Sequence, residues 1–459
     1  MSTQPSLASL SYPLPAARVN TLPLAMTITQ GNGAVCESHL IRQHAEGPAA
    51  VLAIGTANPS GAIVPQDEFT DQFFRVSNSN HLTDLKGKLK RICNKTGIEK
   101  RHFHLTEEVL LAHPELDMHA NISGQSSNKT GIEKRHFHLT EEVLLAHPEF
   151  LDRELPSLDA RIDMVATAVP KLAESAALKA IAEWGRPATD ITHLVFSTYS
   201  GCRAPSADLE LATLLKLRPT VSRTILSLHG CYGGGRALQL AKELAENNRG
   251  ARVLVACAEI TLVCFAGPDG GNLVGHALFG DGAGVAVVGA GAFAGGERPL
   301  FEMVSATQTT IPRSEHALGM QVAGGGIDFH LAIQVPSLIG QNVEQCLLGA
   351  FRAALGKDDV EVTWDDMFWA VHPGGRPILD NIESVLKLGP NKLAASRNVL
   401  REYGNMSGAT IVFVLDDLRR RRDEEGDEFP EWGALLAFGP GITVETIVLR
   451  SPPRSLKEN

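Results

Sequence analysis

The stretch "RTILSLHGCYGGGRALQLAKELAENNRGARVLVACAEIT" (residues 223–261) decides the fold. A short β-branched apolar run ends in a glycine turn, an amphipathic helix pattern follows, and "ARVLVACAEIT" (251–261) is a second apolar run. Continuous apolar strands without polar alternation belong to a sheet covered on both faces, so the unit predicts an α/β arrangement. The theme extends outward in both directions. Upstream lie "GPAAVLAIGTANP" (47–59, strand), "RIDMVATAVPKLAESAALKAIAEW" (161–184, helix), "THLVFSTYSG" (192–201, strand) and "ADLELATLLKL" (207–217, helix). Downstream, "GDGAGVAVVGAG" (280–291) closes a first half and 299–330 bridges to a second. There "VPSLIGQNVEQCLLGAFRAAL" (335–355), "DMFWAVHPGG" (366–375), "RPILDNIESVLKL" (376–388), "ATIVFVLDDLRRRR" (409–422) and "LLAFGPGITVETIVLR" (435–450) repeat the alternation. Two similar α/β halves are expected, 47–298 and 299–452. They are flanked by a Ser-, Pro- and Ala-rich extension (1–46), expected to be disordered, and a short tail (453–459).

The chain has 459 residues and a formal net charge of -10, which argues against a nucleic-acid partner because phosphate backbones are bound by surplus Lys and Arg. Its 7 cysteines stand singly with no C-x-x-C, so neither a zinc site nor a disulfide framework is indicated. A reducing, cytoplasmic location is expected, at most touching the surface of the endoplasmic reticulum. No apolar run approaches the roughly 20 residues that span a bilayer. One feature is not architectural: "NKTGIEKRHFHLTEEVLLAHPE" occurs at 94–115 and, identically, at 128–149. Structural repeats recur three or more times and diverge, so this pair reads as a tandem duplication within ordinary sequence.

Cys231 could be a nucleophile, a metal ligand, part of a phosphate loop or a buried thiol. "CYGGGRA" lacks the G-K-[ST] of a phosphate loop, and "VVGAGAFAGGERP" (287–299) reads as a glycine turn, since no helix pattern follows it. Unlike the other cysteines, Cys231 opens a helix directly after a strand, where N–H groups and the helix dipole favour a thiolate. The glycines beside it are expected to let a substrate approach the backbone. A thiolate nucleophile needs an imidazole partner and donors for oxyanion charge. His372 ends a buried strand before a glycine turn in "FWAVHPGGRPILD" (368–380), and Asn405 sits in the turn "EYGNMSGAT" (402–410). Taken singly, His372 reads more readily as a satisfied core histidine and Asn405 as an Asn in a left-handed turn. Together they suggest one Cys, His, Asn site at strand ends.

These residues resemble the plant type III polyketide synthases, relatives of chalcone synthase. The likeness covers about 47–450 and is carried by "GCYGGGRALQLAKELAENNRGARVLV", "LFGDGAG", "FWAVHPGGRPILD", "YGNMSGAT" and "AFGPGITVET". The resemblance implies a thiolase-like fold, five-layered α/β/α/β/α, and a homodimer. It implies catalytic roles for Cys231, His372 and Asn405, and gatekeeper roles for Phe279 and Phe329 between a coenzyme A tunnel and the reaction cavity. It implies acyl-CoA and malonyl-CoA as substrates, no metal and no other cofactor. Coenzyme A would meet Lys88, Arg91 and Lys95, with Lys129 of the second repeat copy as a rival to Lys95. Pro377 stands where many relatives carry Ala, which removes an N–H facing the pantetheine arm.

Within the family, Tyr199, Ala204, Cys264 and Met320 stand where chalcone-forming members typically have Thr, Met, Thr and Gly. Ser407 joins them as an expected cavity residue. A small Ala204 is expected to open a slender channel, with Tyr199 and Met320 filling the space of an aromatic ring. The pattern looks nearest the alkylresorcinol synthases of grasses, which join a long-chain acyl-CoA to three malonyl-CoA and cyclise by aldol condensation. A phenylpropanoid-using synthase of the chalcone, stilbene or curcuminoid kind stays open. So do a priming-type ketoacyl synthase and a paralogue impaired by the duplication.

Overall fold

A computed structural model describes residues 44–59, 62–63, 65–96, 102–103, 141–201, 203–293, 296–357 and 361–452. The extension (1–43), most of the duplicated region and the tail lie outside the described residues. No helix among the described residues is long and apolar enough to cross a membrane.

The strands are β1 (Ala49–Ala57), β2 (Ala62–Ile63), β3 (His102–Phe103), β4 (His193–Thr198), β5 (Ser222–Ser227), β6 (Arg252–Glu259), β7 (Gly282–Gly289), β8 (Phe301–Thr310), β9 (Leu318–Ala323), β10 (Gly326–Leu331), β11 (Phe368–Val371), β12 (Trp432–Gly439) and β13 (Thr443–Arg450). The helices are α1 (Gln66–Val76), α2 (Thr83–Thr96), α3 (Glu141–Ala146), α4 (Leu158–Trp184), α5 (Ala207–Leu214), α6 (Gly233–Asn247), α7 (Leu273–Leu278), α8 (Val335–Leu355), α9 (Arg376–Leu386), α10 (Ala394–Tyr403) and α11 (Thr410–Glu425). Nine strands are hydrogen-bonded in the order β11-β12-β13-β8-β1-β7-β6-β4-β5.

That order is a duplicated pattern. From the centre outward, the first half runs β1, β7, β6, β4, with antiparallel, antiparallel and parallel pairings. The second half runs β8, β13, β12, β11 with the same three senses. The halves join where β1 and β8 pair antiparallel, Ala49 with Met303, Ala50 with Glu302 and Val51 with Phe301.

Side-chain parity along the strands builds the layers. In β6, Leu254, Ala256 and Ala258 face a core shared with α4, while Val253, Val255 and Cys257 face a second core shared with α6 and α11. In β12, Leu435 and Ala437 enter that same second core, while Ala434, Leu436 and Phe438 face a third one against α8 and α9. Because successive strand residues point to opposite faces, each half-sheet is buried on both sides. This is the thiolase-like α/β fold, with α6 and α11 as the inner helical layer. Local sequence explains the inner position of α11: Ile411 to Leu415 are buried all round, and only the Arg- and Asp-rich end reaches solvent. Helix α4 instead presents a small-residue face that lies close on β1. A Cβ added at Gly55 would stand 2.1 Å from the Ala176 carbonyl oxygen.

Among the described residues, each repeat copy contributes a different part. His102 and Phe103 of the first copy pair with Ile63 and Ala62. Leu144 of the second copy is buried in the α4 core beside Phe150.

Candidate active site

The strand-to-helix turn that carries Cys231 is tightly wound. After β5, Leu228 adopts φ +61°, a left-handed conformation that costs a non-glycine residue about 1–3 kcal/mol. Gly230, also at φ +61°, begins a 3-10 turn through Tyr232, and α6 follows. A Cβ at Gly230 would meet Pro440 at 3.0 Å and the Met320 sulfur at 3.2 Å, so glycine is required at this wall. The three following glycines serve packing, which corrects the expectation that they admit substrate. Cβ atoms would stand 2.5 Å from Ser197 Oγ at Gly233, 2.1 Å from the Gly408 oxygen at Gly234, and 2.9 Å from Ala437 Cβ at Gly235. Gly234 lets α6 press against the turn that carries Asn405, while Gly233 and Gly235 let it lie close on β4 and β12.

His372 and Asn405 arrive from the second half. His372 continues β11, with its N–H donating to the Leu436 oxygen at 2.8 Å, and its side chain is fully buried. Neither ring nitrogen has a hydrogen-bond partner among the described residues, so both are available to a bound group. Asn405 is held by backbone bonds across Phe279: its N–H donates to the Leu278 oxygen at 2.9 Å, and its oxygen accepts from Gly280 at 3.0 Å. Its Oδ1 accepts from the Ser407 N–H at 2.8 Å, and its Nδ2 donates to the Gly374 oxygen at 3.2 Å. Both amide atoms lie 3.8 Å from Cys231 Sγ. Buried Thr410 locks the turn, accepting from the Met406 N–H and donating to the Ser407 oxygen, each at 2.8 Å.

One cavity of about 670 Å³ is lined by Cys231, His372 and Asn405 together with Tyr199, Cys264, Phe279, Met320, Phe329 and Ser407. The remaining lining is largely aliphatic and includes Leu278, Leu318, Leu331, Val335, Ile339 and Ile378. The sequence reading missed these, although their spacing carried a signal. Leu318 and Leu331 lie two residues from Met320 and Phe329 on the paired strands β9 and β10, and Val335 and Ile339 share a helix face. The Phe279 and Phe329 rings meet edge to face, 5.2 Å between centroids. Gly275 makes room for the second ring, since a Cβ there would stand 2.0 Å from Phe329 Cζ.

Ala204 is exposed in the single chain and is not among the residues that line its cavity: the chain turns outward after Tyr199 and Ser200, towards Arg203, which pairs with solvent-facing Asp163 at 2.9 Å. Lys88, Arg91 and Lys95 lie exposed on α2, apart from the cavity lining, and Lys129 lies outside the described residues. The opposite side of α2, Leu89 and Cys93, packs on Leu273 and Ala277 of α7, the helix that leads into Phe279.

Burial sets the electrostatics. It pushes the Cys231 thiol up to about 11, against weaker opposing hydrogen bonds from Ser407 and Asn405, and pulls the His372 imidazole down to about 3. Both shifts run towards the uncharged thiol and imidazole, with desolvation opposing the thiolate that the helix terminus favours. Behind the cavity, buried Glu259 was not foreseen. Its Oε2 accepts from Thr198 Oγ1, the Tyr199 N–H and Ser200 Oγ, and burial raises it to about 8.

The layered fold and this cavity define a thiolase-like acyltransferase, and comparison with known proteins gives the family. The family model described as "Chalcone and stilbene synthases, N-terminal domain" matches residues 36–127 and again 124–292, meeting within the duplicated region. The corresponding C-terminal domain model matches 302–453. The chain belongs to the chalcone and stilbene synthase family and is a type III polyketide synthase. It is 52% identical to a bisdemethoxycurcumin synthase of Oryza sativa subsp. japonica, an alignment covering 93% of this chain and 99% of that protein.

Proposed function

We propose that the enzyme condenses malonyl-CoA onto an apolar acyl-CoA starter held as a thioester on Cys231. The convergence of Cys231, His372 and Asn405 on one aliphatic cavity carries this reading. The neutral imidazole of His372 takes the Cys231 proton as the thiol attacks the starter carbonyl, and coenzyme A departs as a thiol after receiving that proton. An imidazole N–H of His372 and the Asn405 amide then donate to the malonyl thioester oxygen. Carbon dioxide leaves, and the resulting enolate attacks the acyl-Cys231 carbonyl, freeing Cys231 and lengthening the chain by two carbons. No step of this route calls for a metal or a further cofactor. Lys88, Arg91 and Lys95 offer exposed positive charge to the coenzyme A phosphates.

The lining of Leu318, Leu331, Val335, Ile339 and Ile378 favours a long alkyl starter. The product is then a tetraketide from three malonyl-CoA, cyclised by aldol condensation to a 5-alkylresorcinol. Ala204 lends this reading no support. A phenylpropanoid starter is the second reading, favoured by the 52% identity to the bisdemethoxycurcumin synthase. The working unit is a homodimer. Among the described residues β5 is hydrogen-bonded only to β4, and its exposed outer edge, with exposed Leu228 and Leu209 nearby, suits pairing with a second copy. The site is expected to act in the cytoplasm.

The test is incubation with malonyl-CoA and starters from acetyl- to stearoyl-CoA plus coumaroyl-CoA, with products identified by mass spectrometry. Alkylated products from the wild type and none from Cys231→Ala are expected. Curcuminoid or chalcone products alone would overturn the alkyl starter, and condensation by Cys231→Ala would overturn the mechanism.

A further inference from the structure

The hairpin β9–β10 carries Met320 and Phe329 opposite one another, yet it belongs to no larger sheet. Its base is tied where the Gly441 N–H donates to the Leu318 oxygen at 3.2 Å, and its far end is placed by what grips its turn. The Gly324 oxygen accepts from the N–H groups of Ser157 and Leu158, both at 2.9 Å, where α4 begins. Gly326, at φ +127°, lies so close to the 3-10 turn Thr261–Cys264 that a Cβ would stand 2.6 Å from the Val263 oxygen. Two arginines close this junction. Arg153 donates to the Cys264 oxygen at 2.7 Å and the Ile327 oxygen at 3.3 Å, and it pairs with Asp328. Arg161, fully buried, donates to the oxygens of Leu262 at 2.6 Å, Phe265 at 2.9 Å and Phe150 at 2.9 Å, and to Ser157 Oγ at 2.9 Å. Its bonds go to main-chain oxygens and a hydroxyl, with no carboxylate among these acceptors.

We propose that Arg153 and Arg161 are specificity-determining positioning residues: Arg153 clamps the gatekeeper hairpin to the Cys264 turn, Arg161 ties that turn to Ser157 at the start of α4, which holds Gly324, and together they fix the cavity width that the starter acyl group meets. Neither arginine lines the cavity. Their planar forks satisfy several carbonyl oxygens from different segments at once, which a lysine cannot do. Loosening the clamp lets Met320 and Phe329 move relative to Cys264 without removing any hydrogen bond that holds His372 or Asn405. The inference rests on the condensing reading above and assigns starter choice to residues remote from the chemistry.

The experiment compares wild type, Arg153→Ala, Arg153→Lys and Arg161→Lys for kcat/KM with stearoyl-CoA and coumaroyl-CoA over malonyl-CoA. Melting temperature and the rate of Cys231 alkylation by iodoacetamide are measured on the same samples. Arg153→Ala should shift the stearoyl-to-coumaroyl ratio by about tenfold or more, chiefly through KM, with the lysine variants intermediate. Alkylation should stay within about twofold of wild type, since the nucleophile's own surroundings are unchanged. A ratio within about twofold of wild type in both Arg153→Ala and Arg161→Lys overturns the proposal while leaving the condensing reading intact. Absence of any product from the wild type overturns both. Arg153→Lys and Arg161→Lys are read in the same way if Arg153→Ala does not fold.

Discussion

At Cys231 two local effects oppose each other. The helix terminus favours a thiolate, while the closed aliphatic cavity disfavours any charge, and burial prevails by raising the thiol from 9.0 to about 11. A cysteine with a raised value is protonated over a wider range, so its reactivity must rise with pH until that value is reached. Iodoacetamide inactivation of the free enzyme should therefore climb about tenfold per pH unit from pH 7 towards pH 10. A plateau below pH 8 would mean that an ion pair with His372 already exists in the resting state. Sequence was informative about residue types here: Cys231 and His372 stood out in turns at strand ends, whereas Asn405, also expected at a strand end, lies in the turn between α10 and α11. Protonation was not legible, because it depends on enclosure by Leu278, Phe438 and other residues distant in the chain. The exposed position of Ala204 was not legible either, since a residue type matched to a position says nothing about which way the chain turns after Tyr199.

At the scale of elements, the glycines of α6 show how a motif can be read correctly and explained wrongly. "GCYGGGRA" marks the Cys231 turn, but Gly234 is glycine because the Gly408 oxygen occupies the place of a side chain. Gly234→Ala should drive α6 and the Asn405 turn apart, at a cost of about 1–3 kcal/mol as for other overpacked cores. The melting temperature should fall, and condensation should drop more steeply than stability, because the 3.8 Å approach of Cys231 Sγ to the Asn405 amide is disturbed. Unchanged activity in a destabilised variant would show that this contact matters only for folding. Strands and helices were broadly legible because fully apolar runs and helical periodicity survive in one sequence. The β9–β10 hairpin was left within an unassigned bridge, since its short, half-exposed strands carry a mixed pattern.

For the whole molecule, one copy of the duplicated segment is expected to suffice. Among the described residues the first copy supplies His102 and Phe103 to the β2 pairing and the second supplies Leu144 to the core. Removing residues 104–137, which joins Phe103 to His138 and restores one uninterrupted copy, should change the melting temperature by less than about 2 °C and leave condensation in place. A large loss of stability would show that the removed residues contribute contacts of their own. The overall α/β class was legible from the alternating pattern, whereas the matched strand order needed the pairing register. Helix α6 follows the Cys231 turn in one half of that order, and α11, its counterpart, follows the Asn405 turn in the other. The thiol and the amide thus occupy equivalent places in two halves of matching topology, so that neither half on its own carries both groups.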